Sequence, residues 1–255
     1  MEAARDVEGL VAGVLAGDRR AIARAISLVE DGRSELEALS AGIYGATGRA
    51  VTVGITGAPG VGKSTLAAAL VAAARTHGRR VAVLAIDPTS PYTGGALLGD
   101  RVRMQEHATD PDVFIRSMAT RGHLGGMALA APEGVRILDA AGYELILVET
   151  VGVGQAEVDV AAATDTTLVV LAPGLGDAVQ MAKAGILEVA DVFVVNKADR
   201  EGAGEVTREL RQMLHLGPAR DHDPPVLTAA ASLGDGVDAV WDAIESHGEI
   251  GRAHV

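Results

Sequence analysis

The spacing of hydrophobic positions differs between two parts of the chain. Residues 6–31 carry apolar side chains at helical spacing, interrupted at Gly17-Asp18, and a further helix is predicted at about 34–46. Asp18 is a residue type that favours the N-cap of a helix. From Arg49 onward, short continuous apolar runs alternate with longer helical stretches. Seven of these runs predict strands: RAVTVGITG, RRVAVLAID, DVFIRSM, YELILVET, TTLVVLA, DVFVVNKAD and PPVLTA.

Continuous apolar strands that alternate with helices indicate a mostly parallel sheet covered by helices on both faces. We therefore predict an α/β fold, with an N-terminal helical extension over residues 1–48 and the α/β domain over residues 49–250. In such sheets a ligand binds beyond the carboxyl ends of the strands. Polar motifs at those ends are therefore the candidate functional site.

Composition narrows the classes of partner. Apolar residues make up 48% of the 255 residues and aromatic residues 2%, so the core is aliphatic. A net charge of −12 disfavours nucleic acid and anionic membrane as partners. The sequence has no cysteine, which removes disulfides, zinc ribbons and a thiol nucleophile. The N-terminus lacks a signal-peptide core and no apolar run has membrane-spanning length, so we expect a cytoplasmic protein.

The stretch GITGAPGVGKST contains the pattern G-x-x-x-x-G-K-[ST] between a predicted strand and a predicted helix. Backbone N–H groups of such a loop point at phosphates, and the helix N-terminus adds positive potential. Lys63 would pair with the β- and γ-phosphates, and Ser64 would ligate Mg²⁺. The predicted phosphate cradle consists of Gly57, Ala58, Pro59, Gly60, Val61, Gly62, Lys63, Ser64 and Thr65.

A second motif, Asn196-Lys197-Ala198-Asp199, follows an apolar strand about 130 residues later. The carboxylate of Asp199 can accept from both N1–H and the 2-amino group of guanine, a donor pair that adenine does not present. The stem of Lys197 would lie over the base, and Asn196 would tie this loop to the P-loop. The sequence therefore predicts GTP rather than ATP. A backbone N–H of Ala230 or Ala231 would complete the base site, and the sequence does not choose between them.

Carboxylates predict a magnesium site near the phosphates. Glu149-Thr-Val-Gly152 follows a strand, where a carboxylate would hold Mg²⁺ through water and the Gly152 N–H would sense the γ-phosphate. Asp87 ends another strand, and Asp100 lies in the glycine-rich segment after it. Hard cations prefer such oxygen ligands. The predicted metal set is Ser64, Asp87, Asp100 and Glu149.

The hydrolytic machinery is incomplete by the standards of many GTPases. Val153 follows Gly152, where a glutamine often orients the attacking water, so we expect slow intrinsic turnover. Arg103, Arg116 and Arg121 could each reach a γ-phosphate, although such arginines more often pair with carboxylates. The chain has only three lysines, Lys63, Lys183 and Lys197, against 19 arginines. A lysine retained in such a chain can mark a site that needs a compact ammonium group.

Longer strings resemble one family. GITGAPGVGKSTL, AIDPTSPYTGGALLGDRVRM, FIRSMATRGHLGG, ETVGVGQAEVDV, LAPGLGDAVQMAKAGILEVADVFVVNKAD and LVAGVLAGDRRAIARAISLVE resemble the SIMIBI-class GTPase chaperones of methylmalonyl-CoA mutase. These are called MeaB in bacteria, MMAA in humans and ArgK in an older label. The resemblance covers residues 8–247. It implies a GTPase that docks on an adenosylcobalamin-dependent acyl-CoA mutase, gates cofactor delivery and protects the mutase. A cobalamin adenosyltransferase would be a possible further partner.

The resemblance also implies roles for individual residues. Asp87, Asp100 and Glu149 match magnesium-associated positions of the family, and Gly174–Lys183 resembles a third switch that couples nucleotide to mutase. The catalytic candidates are thus Lys63, Glu149 and Lys183. Ala178 stands where family members commonly carry an acidic residue. Many family members continue into a long C-terminal helical arm that builds a dimer, and we expect this chain to lack that arm and to be a monomer or a weak homodimer.

Other functions compete with this interpretation. A nickel-insertion GTPase shares the P-loop class but needs Cys or His ligands, and the seven histidines form no ligand-spaced pair. An ATP-dependent small-molecule kinase would not need a guanine-reading aspartate. A regulatory nucleotide-binding module with negligible turnover is the remaining alternative, and single-turnover GTP hydrolysis separates it from a GTPase.

Overall fold

The structure is a computed structural model that describes residues 2–32, 34–88, 107, 109–120, 126–150, 160–174, 186–216 and 223–253. Its helices are α1 (Glu2–Leu15), α2 (Arg19–Glu30), α3 (Leu36–Ile43), α4 (Lys63–Thr76), α5 (Gly126–Ala140), α6 (Ala203–Leu216) and α7 (Val237–Ala253). Its strands are β1 (Val51–Thr56), β2 (Val81–Pro88), β3 (Val113–Thr120), β4 (Leu145–Thr150), β5 (Thr166–Leu171), β6 (Val192–Asn196) and β7 (Val226–Ala229). Short 3₁₀ turns occur at Tyr44–Ala46 and Ile186–Val189.

The seven strands form one sheet in the order β3-β2-β4-β1-β5-β6-β7. Pairing is parallel between β2 and β3, β1 and β5, β5 and β6, and β6 and β7. Strands β1, β4, β5 and β6 are buried along their whole length, which explains why their apolar runs are continuous. The prediction of an α/β fold with a mostly parallel sheet is confirmed.

Contacts divide the chain into two compact units. The first comprises Met1–Thr52 and Gly78–Val148, and the second comprises Val53–His77 and Glu149–Val255. The predicted boundary between a helical extension and an α/β domain at residue 48 stays a prediction. Among the helices that the structure describes, none combines the length and the apolar character that crossing a membrane requires.

The first unit packs the N-terminal helices against one another and against α5. The side chain of Asp18 accepts from the backbone N–H groups of Arg20 and Ala21, so it caps α2 as predicted. The α1 and α3 backbones approach closely, because a Cβ placed on Gly42 would lie 2.7 Å from a methyl of Val11. Burial raises the pKa of the Tyr143 phenol in this core, and the positive charges of Arg19 and Arg80 partly offset that shift.

A buried carboxylate fixes the chain where it enters β1 in the first unit. Asp139 of α5 is 8% exposed and accepts from the backbone N–H groups of Gly48, Arg49 and Ala50. These N–H groups precede β1 and have no strand partner of their own at that point. The buried carboxylate therefore has several backbone donors as partners at once, as buried polar groups require.

The second unit is built around an aliphatic core under β5 and β6. Phe193, Val195 and Leu210 are fully buried there, and α6 supplies the packing from one face. Helix α7 is joined to the P-loop helix α4 by a stacked pair, His77 and Trp241, whose ring centroids are 5.1 Å apart. The nucleotide motifs described below belong to this unit.

Candidate functional site

The glycine-rich loop after β1 has the backbone that a phosphate cradle needs. Gly57, Gly60 and Gly62 have φ angles of 138°, 82° and 98°, a region that L side chains rarely adopt. A Cβ on Gly57 would lie 2.2 Å from the carbonyl oxygen of Val170, and a Cβ on Gly62 would lie 2.4 Å from the Asn196 side-chain nitrogen. The loop therefore wraps tightly between neighbouring strand ends, and only glycine fits at its bends.

Charged and hydroxyl side chains close this loop. The Lys63 ammonium is buried and donates to the carbonyl oxygens of Gly57 at 2.7 Å and Ala58 at 3.1 Å. The Ser64 hydroxyl, also buried, donates to Oε1 of Glu149 at 2.6 Å. Lys63 and Ser64 lie in the first turn of α4, where backbone N–H groups have no intrahelical acceptor. The arrangement combines N–H donors, an ammonium group and a helix N-terminus, which suits a polyphosphate.

The oxygen pair of Ser64 and Glu149 also suits a magnesium ion. Both side chains are about 5% exposed, and both offer the hard oxygen donors that Mg²⁺ prefers. The remaining members of the predicted metal set are not tested. Asp100 lies outside the described residues. Asp87 ends β2 as predicted, but its side chain lies outside what the structure describes.

Asn196 connects three loops through its side-chain amide. It is 2% exposed at the end of β6, and Nδ2 donates to the carbonyl oxygen of Val61 at 2.9 Å. Oδ1 accepts from the backbone N–H of Ala231 at 3.1 Å. The tie between this motif and the P-loop that the sequence predicts is therefore present. The link to the loop after β7 was not predicted, because that acceptor–amide pair depends on the path of a distant loop.

Lys197 and Asp199 lie at the surface edge of the same motif. Lys197 has a φ angle of 56°, the one positive value outside glycine among the described residues. Its ammonium group donates to the carbonyl oxygen of Gly60 at 2.6 Å, so the stem crosses from the base motif to the P-loop. Asp199 is exposed, and its contact with a guanine base stays a prediction. Such a left-handed residue at a site indicates a conformation that the surroundings enforce.

The amides of the two alanine candidates both have acceptors within the chain. Ala231 N–H donates to Asn196, and Ala230 N–H donates to the carbonyl oxygen of Asp235 at 2.9 Å. Both alanines are buried. In this arrangement both N–H groups donate within the chain and neither is directed to a base. The choice between Ala230 and Ala231 stays a prediction.

Several predicted residues fall outside the described part of the chain. These are Gly152, Val153, Ala178, Lys183 and the arginines Arg103 and Arg121. Arg116 is described, and its guanidinium donates to Glu30 Oε2 at 2.6 Å and to Ser27 Oγ at 2.8 Å. Its side chain is 17% exposed. Of the two interpretations of Arg116, the carboxylate partner is the one observed.

The sequence motifs did not single out two threonine hydroxyl groups at this site. Thr150 Oγ1 donates to Thr56 Oγ1 at 3.3 Å, and both side chains are buried. Thr56 immediately precedes Gly57, and Thr150 immediately follows Glu149. Because each threonine adjoins a motif residue, its place in the sequence was the one feature that could have identified it.

The fold and the site together define a P-loop GTPase, since a phosphate cradle and a guanine-type base motif meet at the strand ends of an α/β sheet. The model of the family described as methylmalonyl Co-A mutase-associated GTPase MeaB matches residues 22–254, and the chain belongs to that family. A Pyrococcus abyssi protein is 52% identical over 247 residues, which cover 95% of this chain and 76% of that protein. GTPase ArgK of Escherichia coli is 40% identical over 238 residues, covering 89% and 72%.

Solved structures share this fold. The crystal structure of an LAO/AO transport system kinase matches with a TM-score of 0.76 at 30% identity, covering 97% of this chain and 76% of that one. HypB from Helicobacter pylori, solved with nickel, matches with a TM-score of 0.54 at 14% identity, covering 88% and 95%. At that identity the likeness shows the fold alone. The family membership confirms that the protein is a GTPase.

Proposed function

We propose that this GTPase is a chaperone of an adenosylcobalamin-dependent acyl-CoA mutase of the methylmalonyl-CoA mutase type. Its role on this proposal is to gate cofactor loading and to protect the mutase from inactivation. Family membership over residues 22–254 carries the proposal, because the family is described by its association with that mutase. The phosphate cradle supports it, since Lys63 and Ser64 lie in the first turn of α4, where a GTPase chaperone would bind the phosphates of its nucleotide.

The chain's own residues divide the work of hydrolysis on this proposal. Lys63 pairs with phosphate charge, while Asp199 reads guanine. Ser64 and Glu149 would hold a magnesium ion, which supplies neutralisation of phosphate charge when it is bound. Lys63, Ser64 and Glu149 are buried, so they act more strongly than they would in water, because desolvation raises the strength of charge-assisted hydrogen bonds.

A nickel-insertion function is not favoured by any observation on this chain. The sequence has no cysteine. Within the described residues, no cluster of three or more His, Asp or Glu side chains is arranged to hold a metal ion. The likeness to HypB shows the fold alone.

The test is GTP hydrolysis by the full chain with and without a purified adenosylcobalamin-dependent methylmalonyl-CoA mutase. We expect slow turnover alone, faster turnover with the mutase, and transfer of cofactor to the mutase only with GTP. Lys63→Ala is the control for contamination, since it removes the phosphate-binding ammonium. A complex that never forms, together with a turnover rate that the mutase does not change, would contradict the partner and leave the GTPase assignment intact.

A variant with changed base specificity makes the test more specific to this chain. If Asp199→Asn transfers the base preference from guanine to xanthine, cofactor delivery by that variant should require xanthosine triphosphate. Delivery that still follows GTP in the variant would show that another protein in the mixture performs it. The readout then reports this chain and not a contaminating GTPase.

A further inference from the structure

A buried hydroxyl pair stands beside the nucleotide site. Thr56 and Thr150 are 0% and 1% exposed, and Thr150 Oγ1 donates to Thr56 Oγ1 at 3.3 Å. Valine has nearly the same shape and would pack there without a polar group. Burying two hydroxyl groups has a desolvation cost. One neutral hydrogen bond contributes a free energy that about cancels this cost and adds no net stability. Packing alone therefore does not account for the pair.

The position of the pair relates it to the P-loop. Thr56 is the last residue of β1 and immediately precedes Gly57, while Thr150 is the last residue of β4 and immediately follows Glu149. Glu149 in turn accepts from the Ser64 hydroxyl at 2.6 Å. At the end of β4, Thr150 therefore contacts the residue before the P-loop, Thr56. Its neighbour Glu149 contacts Ser64 at the other end of that loop.

These two contacts approach the loop from different sides of the sheet. Successive side chains of a strand point to opposite faces, so Glu149 and Thr150 leave β4 in opposite directions. Ligation of a metal ion by Ser64 would use a lone pair of its oxygen and would reorient the hydroxyl that donates to Glu149. The contact between Thr150 and Thr56 does not involve Ser64 and does not need to rearrange with it.

We propose that Thr56 and Thr150 are positioning residues for GTP hydrolysis: their hydroxyl pair holds the end of β4 against the P-loop, so that Glu149 stays in register with Ser64 while Mg²⁺ binds. The inference concerns the GTPase reaction itself and is independent of the mutase partner. It predicts a defect in magnesium use with little change in recognition of the base.

The variants Thr150→Val and Thr56→Val test it in the full chain. We expect the half-saturating Mg²⁺ concentration for GTP hydrolysis to rise at least about 3-fold and kcat to fall about 5-fold, the scale of one lost neutral hydrogen bond, while KM for GTP stays within about 2-fold. A second readout is release of a fluorescent GDP analogue. Release should be faster than wild type in Mg²⁺ and equal to wild type in EDTA.

Matched variants separate positioning from packing. Thr150→Ser and Thr56→Ser keep the hydroxyl and lose a methyl group, so they should retain wild-type magnesium dependence. Thr207→Val removes another buried hydroxyl of the same unit, one that donates to the Ala203 carbonyl at 2.8 Å in α6. It should change stability without changing magnesium dependence. Because the two hydroxyls form one contact, the double Val variant should be no worse than either single variant.

The contradicting results are equally specific. Wild-type magnesium dependence in both Val variants would overturn the proposal, as would Ser variants that are as impaired as the Val variants. A magnesium defect in Thr207→Val would show a general loss of stability instead. If one Val variant does not fold, the other and the two Ser variants still decide between these outcomes.

Discussion

At the residue scale, Asn196 uses its amide as a junction between the P-loop and two other loops. It donates to the Val61 carbonyl and accepts from the Ala231 N–H, and it is almost fully buried. A side chain with both a donor and an acceptor is needed, because one partner is a carbonyl and the other an N–H group. The nucleotide site therefore depends on an amide that need not touch the nucleotide.

Replacing this amide should weaken both the fold and nucleotide binding. Asn196→Ala leaves the buried Ala231 N–H and Val61 carbonyl without their partner, which costs about 1–3 kcal/mol for each unsatisfied group. We expect a lower free energy of unfolding by chemical denaturation and weaker GDP binding by calorimetry. Asn196→Asp keeps the acceptor but sets a carboxylate against the Val61 carbonyl. A variant of either kind with wild-type stability and affinity would contradict the junction.

Asp199 should decide the choice of base. Asp199→Asn turns an amide N–H₂ toward the 2-amino group of guanine, donor to donor, whereas the 2-oxo group of xanthine can accept from it. Two charge-assisted hydrogen bonds are worth about 1.5–3 kcal/mol each, and about 1.4 kcal/mol is tenfold in affinity, so GDP affinity should fall at least about 100-fold. Xanthosine diphosphate affinity should rise.

Asp235→Asn is the matched control for this change. Asp235 is an exposed aspartate in the neighbouring loop, so its replacement removes the same charge without touching the base motif. It should leave the preference for GDP unchanged. Equal affinity of the unmodified protein for GDP and ADP would refute the role of Asp199.

At the element scale, the strands were predictable and their order was not. All seven apolar runs became strands, since strands buried on both faces carry apolar residues at every position. The helix predicted at about 34–46 is α3 followed by a 3₁₀ turn. The order β3-β2-β4-β1-β5-β6-β7 could not be predicted, because buried strands of Val, Ile and Leu are chemically interchangeable as neighbours. The same limit applies to Arg116, whose partner Glu30 lies 86 positions away.

The bends of the P-loop should tolerate no side chain. Gly57→Ala would place a Cβ 2.2 Å from the Val170 carbonyl at a φ angle of 138°, so the loop must distort. We expect tight GDP binding to be lost. Gly204→Ala is the control, since Gly204 lies in α6 with no atom within 4 Å of the added Cβ. It should leave binding intact and raise stability by up to about 1 kcal/mol. A Gly57→Ala protein that binds GDP normally would contradict the cradle.

The ion pair between β3 and α2 should be structural. Arg116→Met leaves Glu30, 10% exposed, without this partner, and we expect a loss of about 2 kcal/mol in the free energy of unfolding, less than for fully buried pairs. GTP hydrolysis per folded molecule should not change. Arg24→Met breaks an exposed pair with Asp6 and should cost under about 1 kcal/mol. Intact stability with lost hydrolysis in Arg116→Met would restore Arg116 as a phosphate-binding candidate.

At the scale of the whole molecule, the scarce lysines concentrate at the nucleotide site. Lys63 donates to carbonyls of Gly57 and Ala58, and Lys197 donates to the Gly60 carbonyl, so two of the three lysines grip the same loop. Arginine supplies charge nearly everywhere else in this chain. A compact ammonium group fits between loop carbonyls where a planar guanidinium would not. Both lysines that the structure describes therefore contact the P-loop, and the requirement for lysine at these positions stays a prediction.

The third lysine, Lys183, should carry the coupling between mutase and hydrolysis. Val153 stands where a water-orienting glutamine is common, so the isolated chain should turn over at the rate of unassisted GTPases, and not at the ~10⁵-fold faster rate of assisted ones. We expect Lys183→Ala to keep GDP affinity and basal turnover nearly intact, yet to remove the acceleration that the proposed function expects of the mutase. Single-turnover hydrolysis with and without the mutase measures both rates.

Two control variants separate a specific role of the Lys183 ammonium from a general effect of positive charge. Lys183→Arg keeps the charge on a planar group, so it should restore only part of the acceleration if a compact ammonium is required. Arg208→Ala removes an exposed positive charge from α6 and should change neither rate. Equal loss of basal and stimulated rates in Lys183→Ala would place the ammonium in the basal site. Unchanged stimulation would make Lys183 a surface residue, and the scarcity of lysine would then carry no information at that position.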